Sequence, residues 1–160
     1  MTLHHVFLDT EAGGALPPFI EADRAQAVAD LAAANHFQVF GRDGGRTEGP
    51  YDLHLSIQEG RLIFDIRVRG EERPVIIGLA LGPFRRLVKD YQLLVDSHVK
   101  AVEEGREARI QAIDMGRRGL HNEGAALMTE RLAGKIDIDF DTARRLFTLV
   151  CVLAQRVSAR

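Results

Sequence analysis

The residues best suited to chemistry lie in one glycine-rich stretch, 112–125, which reads AIDMGRRGLHNEGA. Two adjacent arginines, Arg117 and Arg118, stand between Gly116 and Gly119. We predict that these four residues form a turn between two helices, because glycine readily adopts turn conformations and leaves amide N–H groups uncovered. Two guanidiniums beside a helix N-terminus are suited to phosphate or carboxylate. The stretch therefore predicts an anion site.

A histidine follows the arginines and suggests a second use of the same stretch. If the following helix extends back through the arginines, His121 lies on the same side of that helix as Arg117. By the same three- and four-residue spacing, it also lies on one side with Asp114 and Arg118. Asp114 or Glu123 could then orient the ring, and His121 could act as a general acid or base on a phosphorylated or acyl substrate. No nucleophile is identifiable, so ligand binding is our leading hypothesis. A third interpretation is a turn that only permits close helix packing, with its arginines solvated or paired with acids.

Two further arginine pairs could add positive charge to the same site. Arg85 and Arg86 begin a predicted helix, where the helix dipole opposes cations and an anion must compensate. We favour an acidic side chain of the fold over a ligand in that role. Pairing with Asp141 is the simplest interpretation of Arg144 and Arg145. If the helices converge, Arg85, Arg86 and Arg144 would join the anion site.

The sequence predicts no metal site and no cofactor. His4 and His5 would point to opposite faces of a strand, and His121 with Glu123 lacks the spacing of a helical zinc-binding pair. The alternating aspartates of 137–141 could attract Mg²⁺ or Ca²⁺, but the glycine and glutamate of a calcium loop are missing. No phosphate-binding glycine loop, dinucleotide motif or serine elbow is present. RNA is a weaker alternative ligand, because aromatic residues are scarce.

The N-terminal half must supply a sheet to carry these helices. Apolar and polar residues alternate from Tyr51 to Gln58 and again from Leu62 to Val68, which predicts a β-hairpin closed by Glu59 and Gly60. One helix is expected between the Pro17-Pro18 pair and residue 35. Further strands are predicted over 3–8, 37–40 and 75–81. The last is mostly apolar, so we place it centrally in the sheet.

The C-terminal half changes to helical periodicity after Gly82. Helices are predicted over 83–105, 106–115 and 120–133, followed by a last helix capped by Asp139 or Asp141. That last helix has almost no polar face, which indicates either a central position or an oligomer interface. A further alternative is therefore a homo-oligomeric structural or interaction protein without a small-molecule ligand, most simply a dimer formed through this helix or through a sheet edge. The predicted fold is therefore α+β: a mostly antiparallel sheet with one early helix, followed by a bundle of about four helices packed on it.

Length, charge and cysteine content set the broad class. The 160 residues suit one domain, in which 1–82 are mainly strands plus one helix and 83–160 are helical. The net charge of -2 is uneven, since 1–82 hold 7 basic and 12 acidic residues and 83–160 hold 14 and 11. Cys151 is the single cysteine, which favours a buried thiol and a reducing compartment. With no secretory leader or long apolar run, we expect a cytoplasmic protein and no membrane partner.

Three longer runs carry a resemblance to a known family. They are PFRRLVKDY at 83–91, AIDMGRRGLHNEG at 112–124 and GKIDIDFDTARRLFTLVCVL at 134–153. They resemble a bacterial family known as uncharacterised protein family 0262. The resemblance covers essentially the whole chain and is closest over 82–153. It implies a bacterial cytoplasmic protein, and it assigns no activity, cofactor or site residue.

Overall fold

The computed structural model describes residues 3–8, 16–41, 46–47 and 49–158, and shows an α+β fold. A 3₁₀ turn, Gly82–Phe84, leads into α2. The strands and helices in chain order are β1 (Leu3–Leu8), α1 (Pro18–Ala33), β2 (Phe37–Phe40), β3 (Arg46–Thr47), β4 (Tyr51–Gln58), β5 (Arg61–Val68), β6 (Val75–Ala80), α2 (Arg85–Glu103), α3 (Glu107–Leu132), β7 (Ile136–Ile138) and α4 (Phe140–Ser158).

The larger sheet has the strand order β1-β4-β5-β6 and is built around the expected hairpin. β4 and β5 pair antiparallel with Tyr51 opposite Val68 and Gln58 opposite Arg61. Glu59 and Gly60 close the turn with φ values of 52° and 75°. Two positive φ values give a hairpin turn the same twist as its strands, which explains a glycine here. β1 is the exception to the antiparallel pattern, because it runs parallel to β4.

The prediction that 75–81 lies centrally in the sheet is wrong. β6 forms an edge of the larger sheet, where it pairs with β5. Its apolar side chains are unevenly covered, since Leu79 is buried whereas Ile76 is 55% exposed. An apolar run indicates that a segment tends to form a strand. It does not show that this strand pairs with a neighbour on both sides.

A smaller sheet joins residues from the two halves of the chain. Its order is β3-β2-β7, and both pairings are antiparallel. Phe37 lies opposite Ile138 and Val39 opposite Ile136, and all four side chains are buried. β7 was not predicted, because a three-residue strand between two helices is too short to show alternation.

The predicted turn at Gly116–Gly119 is also wrong. α3 continues through these residues from Glu107 to Leu132, so the C-terminal bundle holds three helices of the described chain where about four were expected. An internal glycine costs a helix only about 1 kcal/mol. Packing of α3 between α2 and α4 outweighs that cost, since tertiary contacts supply most helix stability.

α4 is the central helix, as its composition suggested. Its apolar side chains from Leu146 to Leu153 are buried in the core of the protomer. Asp139 caps the helix, because its Oδ1 accepts a hydrogen bond of 2.8 Å from the backbone N–H of Thr142. Phe147 lies directly against Gly124 of α3, where a Cβ would come closer than 3.0 Å to the ring. This close approach sets the spacing of α3 and α4.

Candidate functional site

A polar pocket opens where α3 and α4 pack together. Its cavity of about 400 Å³ is lined by Asp114, Arg117, Arg118 and His121 of α3 and by Arg144 of α4. Residues at intervals of three, four and seven share one face of a helix, so an unbroken α3 presents all four side chains together. We call this space the arginine pocket. Arg117, Arg118 and His121 thus lie together with Arg144, whereas the sequence left open whether the arginine pairs meet.

A second cavity of about 170 Å³ shares part of the same wall. It is also lined by Arg117, His121 and Arg144, and it reaches α1. The α1 residues that line it include Asp23 and Asp30. The two cavities together therefore contain residues from three helices.

Arg117 is held in place by α1. Its Nη2 donates to Oδ1 and Oδ2 of Asp23 at 2.8 and 3.0 Å, and its Cζ lies 4.8 Å from the centre of the Phe19 ring. Tyr91 of α2 donates its hydroxyl to Oδ2 of Asp23 at 2.8 Å. Burial, followed by the charge of Asp23, raises the pKa of the Tyr91 phenol, which keeps the donated proton on it. Arg117 is thus a positioned charge that already has a counter-ion.

Arg118 and Arg144 are different, because neither forms an ion pair with any carboxylate of the described residues. Within the same ranges, the Nε atoms of Arg144 and Arg117 are buried and have no hydrogen-bond partner. A buried N–H without an acceptor costs about 1–3 kcal/mol. The arginine pocket therefore holds uncompensated positive charge and unused donors.

His121 lies at the back of the pocket and is only 8% exposed. Its Nδ1 is 2.7 Å from the carbonyl oxygen of Arg117, which can only accept, so Nδ1 carries the proton. Burial is the main cause that lowers the pKa of His121, and the charges of Arg117 and Arg144 act in the same direction. The ring is consequently neutral at pH 7, with Nε2 left as an acceptor.

Neither predicted orienting carboxylate contacts His121. Glu123 is on another face of α3, where it pairs with Arg86, because two residues along a helix turn a side chain by about 200°. Asp114 lies 3.7 Å from Nη1 of Arg117 and 4.0 Å from Nε2 of His98. The backbone of Arg117 holds the imidazole in their place.

The remaining predicted site residues lie outside the arginine pocket. Arg86 pairs with Glu123 and, at 3.0 Å, with Asp90, which confirms an internal counter-ion for that arginine. Arg85 is exposed at the start of α2 and does not line the pocket. Gly116 and Gly119 line a shallow groove between α2 and α3 instead. Their amides are part of a continuous helix and are not free to bind an anion at its N-terminus.

The acidic residues of 137–141 serve separate partners. Asp137 pairs with His36 at 2.9 Å, and Asp139 caps α4. Arg145 pairs with Asp30 of α1 at 3.5 Å, so the simple expectation of a pair with Asp141 does not describe it. Cys151 is fully buried, and burial raises the pKa of its thiol, as expected for an inert cysteine.

Sequence reasoning missed Asp23 and Tyr91, which position Arg117. Asp23 lies in α1 and Tyr91 in α2, outside the glycine-rich stretch that the sequence indicated. Both contacts span long distances in sequence, 94 residues between Asp23 and Arg117 and 68 between Asp23 and Tyr91. Single-helix periodicity carries no signal for such contacts.

No helix among the described residues has the length and apolar content needed to cross a membrane. No solved structure shows a significant match to this chain.

Comparison with known sequences identifies relatives along almost the whole chain. A UPF0262 protein of Granulibacter bethesdensis is 67% identical over 156 residues, covering 95% of this chain and 89% of its own. A relative from Acidiphilium cryptum is 58% identical, covering 96% and 93%, and one from Agrobacterium fabrum is 46% identical, covering 94% and 93%. The family described as Uncharacterised protein family (UPF0262) matches residues 1–156. The chain belongs to this bacterial family.

Proposed function

We propose that this is a small binding or regulatory protein whose arginine pocket holds a phosphate-type anion. Two observations carry the proposal: Arg118 and Arg144 have no carboxylate partner among the described residues, and the buried Nε of Arg144 has no acceptor there. Guanidiniums make strong, often bidentate hydrogen bonds to phosphate and carboxylate oxygens. An anion would supply the missing acceptors and the missing negative charge together.

The dimensions of the pocket favour a small molecule. A cavity of about 400 Å³ is in the range of small-ligand sites. Its wall contains no Phe, Tyr or Trp among the described residues, and single-stranded RNA usually needs aromatic side chains on which bases stack. A phosphorylated metabolite therefore suits the site better than RNA, which is an alternative outcome of the test below.

The test is a thermal-shift screen of the purified protein with phosphate, sulfate, phosphosugars, nucleotides and a short RNA. An anion at one hundred times its dissociation constant should stabilise the fold by about 2.7 kcal/mol. For a chain of this length the midpoint should rise by roughly 5–11 °C. Calorimetric titration of the best anion then gives its dissociation constant.

The variants should spare Arg117, because its loss would leave Asp23 partly buried without a counter-ion. We expect Arg118→Gln combined with Arg144→Gln to weaken binding about tenfold or more, since a charged hydrogen bond contributes about 1.5–3 kcal/mol. Arg85→Gln is the matched control, as it removes one exposed charge outside the pocket. The proposal fails if no anion raises the midpoint, or if the double variant binds as the wild type does.

A second candidate function is catalysis, which the state of His121 supports. A neutral imidazole with its proton fixed on Nδ1 offers Nε2 as a general base, and the adjacent arginines could stabilise developing negative charge. Asp114 and Glu123 do not orient the imidazole in this mechanism, because neither contacts the ring. If a bound ligand is converted, His121→Gln should still bind it and should lose turnover. Equal turnover in both proteins would exclude His121 as the base.

The location and assembly of the protein are part of the proposal. A cytoplasmic location is supported by the lone, fully buried thiol, which suits a reducing compartment. A homodimer through α4 is not favoured, because its apolar side chains from Leu146 to Leu153 are buried in the protomer core. A dimer could instead use α2 and α3, where Val102 and Met115 are 54% and 71% exposed. Light scattering at micromolar concentration decides between monomer and dimer.

A further inference from the structure

A cluster of metal-ligating side chains lies away from the arginine pocket, where β1 pairs with β4. His4, His5 and Asp52 each offer one ligand atom, and these three atoms lie within 4.8 Å of one another. Nδ1 of His5 and Oδ1 of Asp52 are 3.2 Å apart. Both histidines are exposed and Asp52 is half-exposed, so the cluster is open to solvent.

A β-bulge brings the two histidines to one face. The register of β1 and β4 passes from Leu3 opposite Tyr51 to His5 opposite Asp52, so His4 is an extra residue on β1. A bulge interrupts the alternation of a strand and redirects a side chain. The rings of His4 and His5 consequently lie 4.1 Å apart, centre to centre. The expectation that they point to opposite faces is therefore wrong, and with it the argument against a metal site.

We propose that His4, His5 and Asp52 bind a divalent transition-metal ion of the zinc class. Two imidazoles and one carboxylate are a common ligand set for zinc, with water in the fourth position. Ligand atoms about 2.0–2.2 Å from a tetrahedral ion lie roughly 3.3 Å apart. The His5–Asp52 pair already has that separation. His4 closes the remaining gap by side-chain rotation, which its exposure permits.

The ion would link two strands. His4 and His5 belong to β1, an edge strand of the larger sheet, and Asp52 belongs to β4 beside it. An ion that binds only the folded arrangement stabilises that arrangement. Bound zinc would therefore hold β1 against β4, and it should raise the midpoint of thermal unfolding.

The chain provides a matched control. His36 and Asp137 form another exposed pair, with Nε2 and Oδ2 2.9 Å apart. Among the described residues, no third ligand completes a metal-binding group there. Two ligands bind an ion far more weakly than three, so His36→Ala should leave zinc binding unchanged.

The experiment is a zinc titration of the full chain, without any added polyhistidine segment, in competition with a chromogenic chelator. The wild type should bind one equivalent of Zn²⁺. His4→Ala, His5→Ala and Asp52→Asn should each weaken binding by about tenfold or more, because losing a ligand costs at least as much as losing one of its supporting contacts. The same titrations followed by thermal unfolding should show a zinc-dependent rise only in the wild type and His36→Ala.

These variants change exposed side chains, so circular dichroism should show the fold retained in all of them. The proposal is overturned if the wild type does not compete with the chelator for zinc. It is equally overturned if zinc binding is undiminished in His4→Ala and Asp52→Asn. Loss of binding in His36→Ala alone would place the ion at the other pair.

Discussion

Two glycines of α3 should respond in opposite directions to the same substitution. Gly119 is exposed and has no atom within 4 Å of an added Cβ, so the site accepts alanine without displacement. Gly124 lies against Phe147, whose ring carbons would be closer than 3.0 Å to the new Cβ. Phe147 is fully buried and cannot move outward. Gly119→Ala should therefore stabilise the protein, and Gly124→Ala should destabilise it.

The magnitudes follow from helix propensity and from packing. Alanine is about 0.5–1 kcal/mol better than glycine inside a helix, and Gly119→Ala should gain that amount. Gly124→Ala gains the same propensity term, but inserting a methyl group into a packed core costs roughly 1–3 kcal/mol. Since three ring carbons clash, we take the upper end, which leaves a net loss of about 2 kcal/mol. The midpoints should rise by roughly 1–4 °C and fall by roughly 4–8 °C respectively.

The measurements are thermal unfolding, for the midpoints, and chemical unfolding, for the free energies, of the two variants and the wild type, both followed by circular dichroism. A turn at Gly116–Gly119 would give the opposite result for Gly119→Ala, because alanine is disfavoured where a turn requires positive φ. A loss of 1 kcal/mol or more in Gly119→Ala would thus refute the continuous helix. An unchanged stability in Gly124→Ala would refute the close contact of α3 with α4.

The histidine and the tyrosine near the arginine pocket give two further predictions. Burial holds the pKa of His121 in the folded protein below 6.5, the value in the unfolded chain. As the pH falls, the unfolded state therefore binds a proton before the folded state does. The free energy of unfolding that the neutral ring contributes above pH 6.5 is consequently lost below it. Between pH 7.5 and 5.5 the wild type should lose up to about 1.4 kcal/mol more than His121→Gln in urea unfolding, and parallel losses would contradict a buried neutral ring. Tyr91→Phe should cost about 1.5–3 kcal/mol in the same assay, because it removes a donor to the partly buried Asp23 carboxylate, and a neutral result would mean that the bond contributes nothing.

The sequence predicted those parts of the fold that have a local signal. The β4–β5 hairpin follows from alternation and turn chemistry, and the central place of α4 follows from its lack of a polar face. Local signals misplaced the ends of α3, because two glycines have low helix propensity and predict a break. The packing against other helices that outweighs this propensity cannot be predicted from the sequence of α3 alone. The position of β6 and the existence of β7 depend on pairing between distant segments, which periodicity does not report.

The same division applies to the arginine pocket. Helical spacing placed His121 on one side with Arg117 and on another with Asp114 and Arg118, on the condition that a helix runs through the arginines. The helix does run through them, and all four side chains line one pocket. The neighbours that give each side chain its state come from other helices. Asp23 neutralises Arg117, whereas Arg144 adds charge without a described partner. Which arginine remains available to a ligand is therefore a tertiary property.

The continuity of α3 also changes how an anion would be held. A turn would have offered free backbone amides and a helix dipole, but the amides of 116–119 lie within a helix. Binding then depends on guanidinium donors alone, and their planar geometry selects groups with two or more coplanar oxygens. The arginines extend from two packed helices, so their backbone positions are set before a ligand arrives, and Asp23 already holds the Arg117 guanidinium. The exposed Arg118 side chain must still be ordered on binding, which costs side-chain entropy. A partly enclosed wall also weakens screening by salt relative to an exposed basic patch, which favours a discrete anion over a diffuse polyanion.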